Sequence, residues 1–333
     1  MIIRTVLDCR PSDSKFYCSI LLLVSSWVER VKPNFPLSIV ITGTPPEALL
    51  RFFDSLGVSW EIAEADASLF FVPTGNTLLG GRAKDPSERI MLVDNDIYFL
   101  KDLRSLGEIR TDIFAGAPSG RPRISPKQWD LIKSELGLEP LSQSWIAPSR
   151  QLANLRNKTS YTEQMDQTYV NGGVLLLPQG EKFMEAWQAN IIKIADYFRG
   201  TPLDSKSVTK SNMVGLATAI GEHGKFQWLS DGFNYRHPHI LLNQLSFDEI
   251  SIAHMTGTPR HDGPIQEERY VSDYVSLYWQ HRVLKRLGEH ENIYDRETFS
   301  AIGETTNLLA EAMHRSITAY ELDAVMKDIR KTL

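Results

Sequence analysis

Cysteine is scarce in this chain: Cys9 and Cys18 are the only two among 333 residues. Two cysteines cannot build a disulfide framework or a four-ligand zinc site, so a reducing, cytoplasmic setting is expected. An excess of basic residues is missing as well. Lys and Arg total 36 against 41 Asp and Glu, a net charge of −5, where a nucleic-acid protein would normally carry a basic face. No apolar run is long enough for a membrane span. The most apolar early stretch, Phe16 to Val28, contains Ser19, Ser25 and Ser26 and reads as a buried helix. The first residues lack the basic-then-apolar order of a secretory leader. Also absent are a Gly-x-Gly-x-x-Gly after a strand, a Walker-type Gly-Lys-Ser and a Gly-x-Ser-x-Gly elbow, which sets aside dinucleotide folds, P-loop enzymes and serine hydrolases. There is no internal repeat and no low-complexity tract.

What is present fits a globular protein, with 42% hydrophobic and 23% charged residues. Strand-like and helical patterns alternate through the first hundred residues. Ile2 to Leu7, Leu37 to Thr42 and Val58 to Ile62 read as strands, with helices at Lys15 to Val31 and Pro46 to Leu56 between them. Ile90 to Val93 is a short, fully apolar run of the kind expected for a strand covered on both faces. This βαβαβ order predicts an α/β fold with a mainly parallel central sheet flanked by helices. In such sheets ligands sit beyond the carboxyl ends of the strands. Pro118 to Pro126, Gly200 to Ser211 and Thr256 to Pro264 read as loops, and after about Glu267 the chain turns helical to its end. A catalytic unit at 1–265 with a helical extension at 266–333 is the expected division. The extension either closes the domain or offers a surface for a second copy.

Three short stretches carry chemistry. Val93-Asp94-Asn95-Asp96 ends the apolar strand. In extended chain, residues two apart point the same way, so Asp94 and Asp96 can present two carboxylates to one hard cation such as manganese or magnesium. The alternative is an acidic turn, with Asp96 or Asp102 capping the next helix. Asn171-Gly172-Gly173 precedes the strand-like Val174-Leu175-Leu176-Leu177. Glycines there allow a ligand to approach the backbone, or merely make a tight turn. Ile252-Ala253-His254 is an apolar run ending in histidine, with Gly257 and Arg260 just beyond. His254 would complete an O/O/N ligand set, and Arg260 could pair with a phosphate. His237-Pro238-His239 could chelate a metal but reads more simply as a surface loop.

In order and content these three stretches resemble family 8 of the retaining glycosyltransferases, the group of glycogenin and the bacterial lipooligosaccharide galactosyltransferases. Asp94-Asn95-Asp96 matches its Asp-x-Asp, Asn171-Gly172-Gly173-Val174 its Asn-x-Gly-Val strand, and His254 to Arg260 its His-x-x-Gly-x-x-Lys, with arginine in place of lysine. Tyr17, Ala115-Gly116-Ala117 and Phe233-Asn234 are weaker echoes. The resemblance spans roughly residues 1 to 265. It implies a GT-A fold, a manganese (or magnesium) ion held by Asp94, Asp96 and His254, and a UDP-sugar donor, with UDP-glucose or UDP-galactose expected. It places Asp8, Tyr17, Arg82, Asn95, Asn171, Gly172, Gly173, Gly257 and Arg260 around that donor. It also implies that the anomeric configuration is retained by front-face attack of an acceptor, whether glycan, protein or small molecule.

The sequence departs from the family pattern in two places. Members commonly carry an Asp-Gln pair on the helix after the Asn-x-Gly strand, where this chain has Lys210-Ser211-Asn212-Met213. Asn212 could hydrogen-bond the sugar instead, and an Asp166-Gln167 pair occurs just ahead of Asn171. Arg82-Ala83-Lys84 resembles the family's Arg-x-Lys but sits closer to the aspartates than usual. These departures leave open a protein that binds a nucleotide sugar without turning it over. A haloacid dehalogenase-type phosphatase also ends a strand in Asp-x-Asp, but needs the pair on its first strand, and here three strand candidates precede it.

Overall fold

In a computed structural model of the chain, residues 1–9, 14–69, 75–119, 124–157, 164–205, 212–256, 269–289 and 291–333 are described. Eleven strands are named among them: β1 Ile2–Cys9, β2 Leu37–Gly43, β3 Ser59–Ala63, β4 Ile90–Val93, β5 Ile97–Phe99, β6 Phe114–Pro118, β7 Ser142–Ile146, β8 Gln164–Gln167, β9 Val170–Leu176, β10 Phe226–Trp228 and β11 Ile252–His254. Seven of these form the central sheet, in the order β10-β6-β9-β4-β1-β2-β3. All its pairings are parallel except those of β9, which runs antiparallel to both β4 and β6. The expected α/β class with a mainly parallel sheet flanked by helices is therefore the observed one.

Alternation along each strand sorts the sheet into two faces. Ile3, Leu7, Met91, Val93, Val174 and Leu176 pack into one core, with the helices Ser14–Arg30 and Glu47–Leu56. Ile90, Leu92, Phe114 and Leu175 pack into the other, under Lys182–Phe198 and Asn212–His223, and Val170 joins them because the β6/β9 register shifts between Leu175 and Val170. Ile20 to Val24 are completely buried, because the first helix is covered by the sheet on one side and by the C-terminal helices on the other. Ile302, Leu309, Met313, Ile317, Leu322, Met326 and Ile329 of Arg296–Ala319 and Leu322–Arg330 belong to the same core as that first helix. The C-terminal stretch thus shares its apolar face with the sheet domain.

The antiparallel β9 places the start of its strand at the carboxyl end of β4, with Val93 opposite Val174. Beyond β4 the chain turns at Asn95-Asp96 and enters β5, which leaves the central sheet and pairs antiparallel with β11, His254 lying opposite Ile97. Three stretches far apart in sequence meet here, at the carboxyl end of the central strand β4. No helix among the described residues is long and apolar enough to cross a membrane.

Candidate metal centre

Asp94, Asp96 and His254 offer one ligand atom each within 4.8 Å of one another. The pair converges for a reason other than the one expected from the sequence. Asp94 lies just past β4 and Asp96 in the following turn, so it is the turn, and not the pleat of a strand, that brings the carboxylates together. Asp94 is fixed by its backbone N–H donating to Gly173 O at 3.0 Å, and Asp96 by its carbonyl accepting from Met255 N at 2.8 Å. Each carboxylate is thereby tied to one of the other two stretches.

His254 is 2% exposed, and its Nε2 lies 3.0 Å from Asp96 Oδ1 and 3.6 Å from Asp94 Oδ2. The other ring nitrogen, Nδ1, lies 2.8 Å from Asn234 Oδ1. Asn234 Nδ2 donates at 2.9 Å to Asn171 Oδ1, which also accepts from Gly173 N at 3.0 Å. A backbone N–H can only donate, so the Asn171 atom it meets is the oxygen, and the Asn234 group facing that oxygen is the NH2. The remaining Asn234 oxygen accepts, and His254 must carry its proton on Nδ1. In the neutral ring the Nε2 lone pair then points at the two carboxylates, the arrangement in which an imidazole can ligate a cation beside them.

Gly173 has a steric role in this arrangement. A Cβ on it would sit 2.1 Å from His254 Cε1, whereas one on Gly172 would meet nothing within 4 Å. The expected close approach to the glycines is thus made at Gly173 by the histidine ring itself, and Gly172 alone remains open.

Burial, then the Asp96 charge, pushes Asp94 up to about 6. For Asp96 burial acts in the same direction, but the imidazolium form of His254, by charge and by a hydrogen bond from Nε2, holds the carboxyl below its usual value; the neutral ring, with Nε2 unprotonated, is the form that would ligate a cation. Two carboxylates with 38% and 25% exposure toward the solvent and one buried imidazole suit a hard or borderline divalent ion such as magnesium or manganese.

The other residues singled out from the sequence fall in different places. Asn95 sits in the turn between the two aspartates. Asn171 serves the hydrogen-bond chain to His254 through its side chain. Asp8 ends β1 and accepts from Thr42 Oγ1 at 3.1 Å. Tyr17 is buried beside Cys9, whose thiol burial pushes up to about 11. Arg82 has partners of its own, donating to Asp66 at 3.0 Å and to Gln188 at 2.8 Å. Asp166 is exposed on β8 and Gln167 half-buried beside it, its carbonyl accepting from Trp145 Nε1 at 2.8 Å. Asn212 is buried at the start of its helix, its carbonyl accepting from Trp187 Nε1 at 2.9 Å. Gly257 and Arg260 lie outside the described residues. The surface loop expected at His237-Pro238-His239 is instead a helical turn, His237–Leu241, in which His239 is completely buried. Its Nδ1 accepts from Arg236 N at 3.2 Å, so it belongs to the core packing and not to a chelating loop.

No protein-family model matches the chain, and no curated protein matches it. Solved structures similar to it include the WbbM bifunctional glycosyltransferase (12% identity, TM-score 0.46, 86% of this chain and 51% of that one). Mouse xyloside xylosyltransferase 1 is another (13%, TM-score 0.43, 79% and 99%). The glycosyltransferase GlyE of Streptococcus pneumoniae TIGR4 is a third (12%, TM-score 0.49, 86% and 64%). The chain thus spans 51% of WbbM's length and 64% of GlyE's. The class defined by the fold and the centre together is an α/β protein with a two-aspartate, one-histidine group that could hold a cation at the carboxyl end of a central strand of a mainly parallel sheet.

Proposed function

We propose that the chain is a metal-dependent, retaining glycosyltransferase that moves a hexose from a UDP-sugar, glucose or galactose, to an acceptor hydroxyl. The observation that carries this reading is the convergence of Asp94, Asp96 and His254, with the His254 tautomer set by Asn234, Asn171 and the Gly173 N–H. That ligand set, drawn from two of the three motifs that in order resemble family 8 and braced by Asn171 of the third, lies where the parallel sheet opens toward ligands.

In the proposed reaction the bond from the anomeric carbon to the diphosphate oxygen breaks, and the acceptor oxygen bonds to that carbon from the same side. The acceptor proton passes to the departing diphosphate. A bound manganese or magnesium ion would supply Lewis-acid stabilisation of the charge that develops on that leaving group. The chain's own part is positioning. Asp94 and Asp96 contribute negative oxygens and His254 a neutral nitrogen, on a rigid frame that needs no rearrangement when charge develops. Gly172, open on its face, is assigned to the donor, with Asn95, Asp8, Tyr17 and Arg82 around it and Gly257 and Arg260 on the diphosphate. Asp166, Gln167 and Asn212 are assigned to the sugar. Arg82 would have to exchange Asp66 and Gln188 for a phosphate to take this part.

Slow hydrolysis of UDP-glucose or UDP-galactose without acceptor tests the reading. Manganese-dependent release of hexose by the wild type, abolished in Asp96→Ala with the fold intact, supports a transferase. Manganese-dependent UDP binding with no hydrolysis of any nucleotide sugar would instead indicate a binding protein on the same scaffold.

A further inference from the structure

Arginines from three separate stretches surround His237. Arg156 lies near the end of the helix Pro148–Asn157, and Arg236 directly precedes His237 at the short helix His237–Leu241. Arg282 lies in the wide turn Gln280–Leu284 and Arg286 in the helix Lys285–Glu289 that continues it. The short helix packs against both of the other stretches. Among the described residues, four of the buried nitrogens carried by this group have no hydrogen-bond partner: Arg156 Nε and Nη2, Arg236 Nε and Arg282 Nε; His237 Nδ1 makes a fifth. Arg236 is only 4% exposed, and among the described residues its side chain has a single anchor, Nη2 donating to Pro118 O at 2.6 Å.

Like charges gathered this way, with orphaned donors among them, are costly to bury unless something negative satisfies them. Two acidic groups act on the cluster by charge, Glu289 on Arg156 and Asp231 on Arg236, but neither is within ion-pair distance of these arginines: Glu289 faces Lys285 at 4.0 Å, and Asp231 lies 3.8 Å from His239 Nε2. The field is strong: burial, then Arg286, Arg282, Arg236 and Arg156 in turn, press the His237 imidazole down to about 3. The cluster also lies close to the metal centre. Buried Tyr278 donates to His254 O at 3.4 Å, and its hydroxyl feels Asp96 as well as Arg282 and Arg236.

We propose that Arg156, Arg236, Arg282 and Arg286, with His237, form a second anion site that takes a phosphate-type dianion carried by the acceptor. Guanidinium forks match phosphate oxygens in geometry as well as charge. A part-buried cluster of this kind fits a small dianion better than an extended polyanion. The word acceptor rests on the glycosyltransferase reading; the anion site does not.

The test is a titration of inorganic phosphate, and separately of glucose 6-phosphate and glucose, in the presence of a chelator and at matched chloride ionic strength, read by thermal unfolding. Saturable stabilisation by both phosphates and not by glucose is expected in the wild type and in Asp96→Asn. In Arg282→Gln/Arg286→Gln the phosphate affinity is expected to fall by about tenfold or more. No saturable phosphate response in the wild type, or an equal response to glucose, overturns the site without recourse to any variant. So does an unchanged phosphate affinity in the double variant. A manganese-dependent response to UDP, measured alongside, separates the two readings. Its loss with the phosphate response intact removes the glycosyltransferase assignment alone, and the reverse removes the anion site alone.

Discussion

Asn234 Oδ1 lies 2.8 Å from His254 Nδ1, and this one hydrogen bond determines which nitrogen of the imidazole is free to face Asp94 and Asp96. The bond is itself held in one sense by Asn171, whose oxygen is claimed by the Gly173 N–H. Replacing Asn234 with leucine removes the partner that fixes both the tautomer and the ring. Manganese affinity, measured by calorimetry, is expected to fall 10- to 100-fold, about the usual cost of losing such an outer partner. Asn234→Asp keeps the acceptor for Nδ1 and should retain more affinity than the leucine variant. Equal affinities in all three proteins would contradict the tautomer assignment.

The two adjacent glycines of β9 should respond differently to the same substitution. Gly173→Ala drives a Cβ to 2.1 Å from the His254 ring, which must move, at a cost of about 1–3 kcal/mol together with loss of manganese binding. Gly172→Ala meets nothing within 4 Å and should leave stability within about 1 kcal/mol, while weakening UDP binding if the donor approaches that face. Urea unfolding and calorimetry on both variants check this. Similar destabilisation by the two would show that His254 does not pack on Gly173.

The helix Arg296–Ala319 buttresses the strand that leaves the aspartate pair. Tyr98 on β5 donates to Ala312 O at 2.8 Å and meets Ser316 Oγ at 2.6 Å, and Ser316 in turn donates to Glu29 at 2.7 Å. Tyr98→Phe strands buried partners and should cost about 1–3 kcal/mol. Met313→Ala, in the same core, should cost about 2–5 kcal/mol. Unfolding midpoints unchanged in both variants would mean that the C-terminal helices fold apart from the sheet.

Acid should destabilise the protein through its buried imidazoles. His237 is pressed from the usual 6.5 down to about 3, and His239, depressed by burial and then by Arg236 and His237, shifts the same way. As pH falls below 6.5 the unfolded chain gains protons that the folded chain refuses, so stability declines from there downward, toward about 3 for His237. Each such group contributes a slope of at most about 1.4 kcal/mol per pH unit. In phosphate-free buffer, urea unfolding of His237→Gln between pH 7 and 5 should show a shallower decline than the wild type. Parallel declines would contradict the depressed imidazole.

Much of this architecture was legible before any coordinates, for identifiable reasons. Ile90 to Val93 announced a strand because four consecutive apolar residues suit a position covered on both faces, and all four are buried. Asp94, Asp96 and His254 stood out by residue type at strand ends. What stayed hidden was set by non-local pairing. Nothing local in Val170 to Leu176 signals that this strand runs against its neighbours, yet that reversal delivers Gly173 to Asp94. The apolar stripe of Leu309, Ala312 and Met313 marked a helix but not its partner, the helix Ser14–Arg30. Arg156, Arg236, Arg282 and Arg286 are ordinary in sequence, since only packing of three distant stretches gathers them.

The most direct test of the centre is thermal unfolding with UDP, GDP, CDP and dTDP, each with and without manganese, in the wild type and in Asp96→Asn. Ligands that bind only the folded state raise its stability by mass action. A manganese-dependent rise with UDP in the wild type, absent from Asp96→Asn, is the expected result. A nucleotide response that is indifferent to manganese, or no response to any nucleotide, would contradict a metal-dependent nucleotide-sugar site at Asp94, Asp96 and His254.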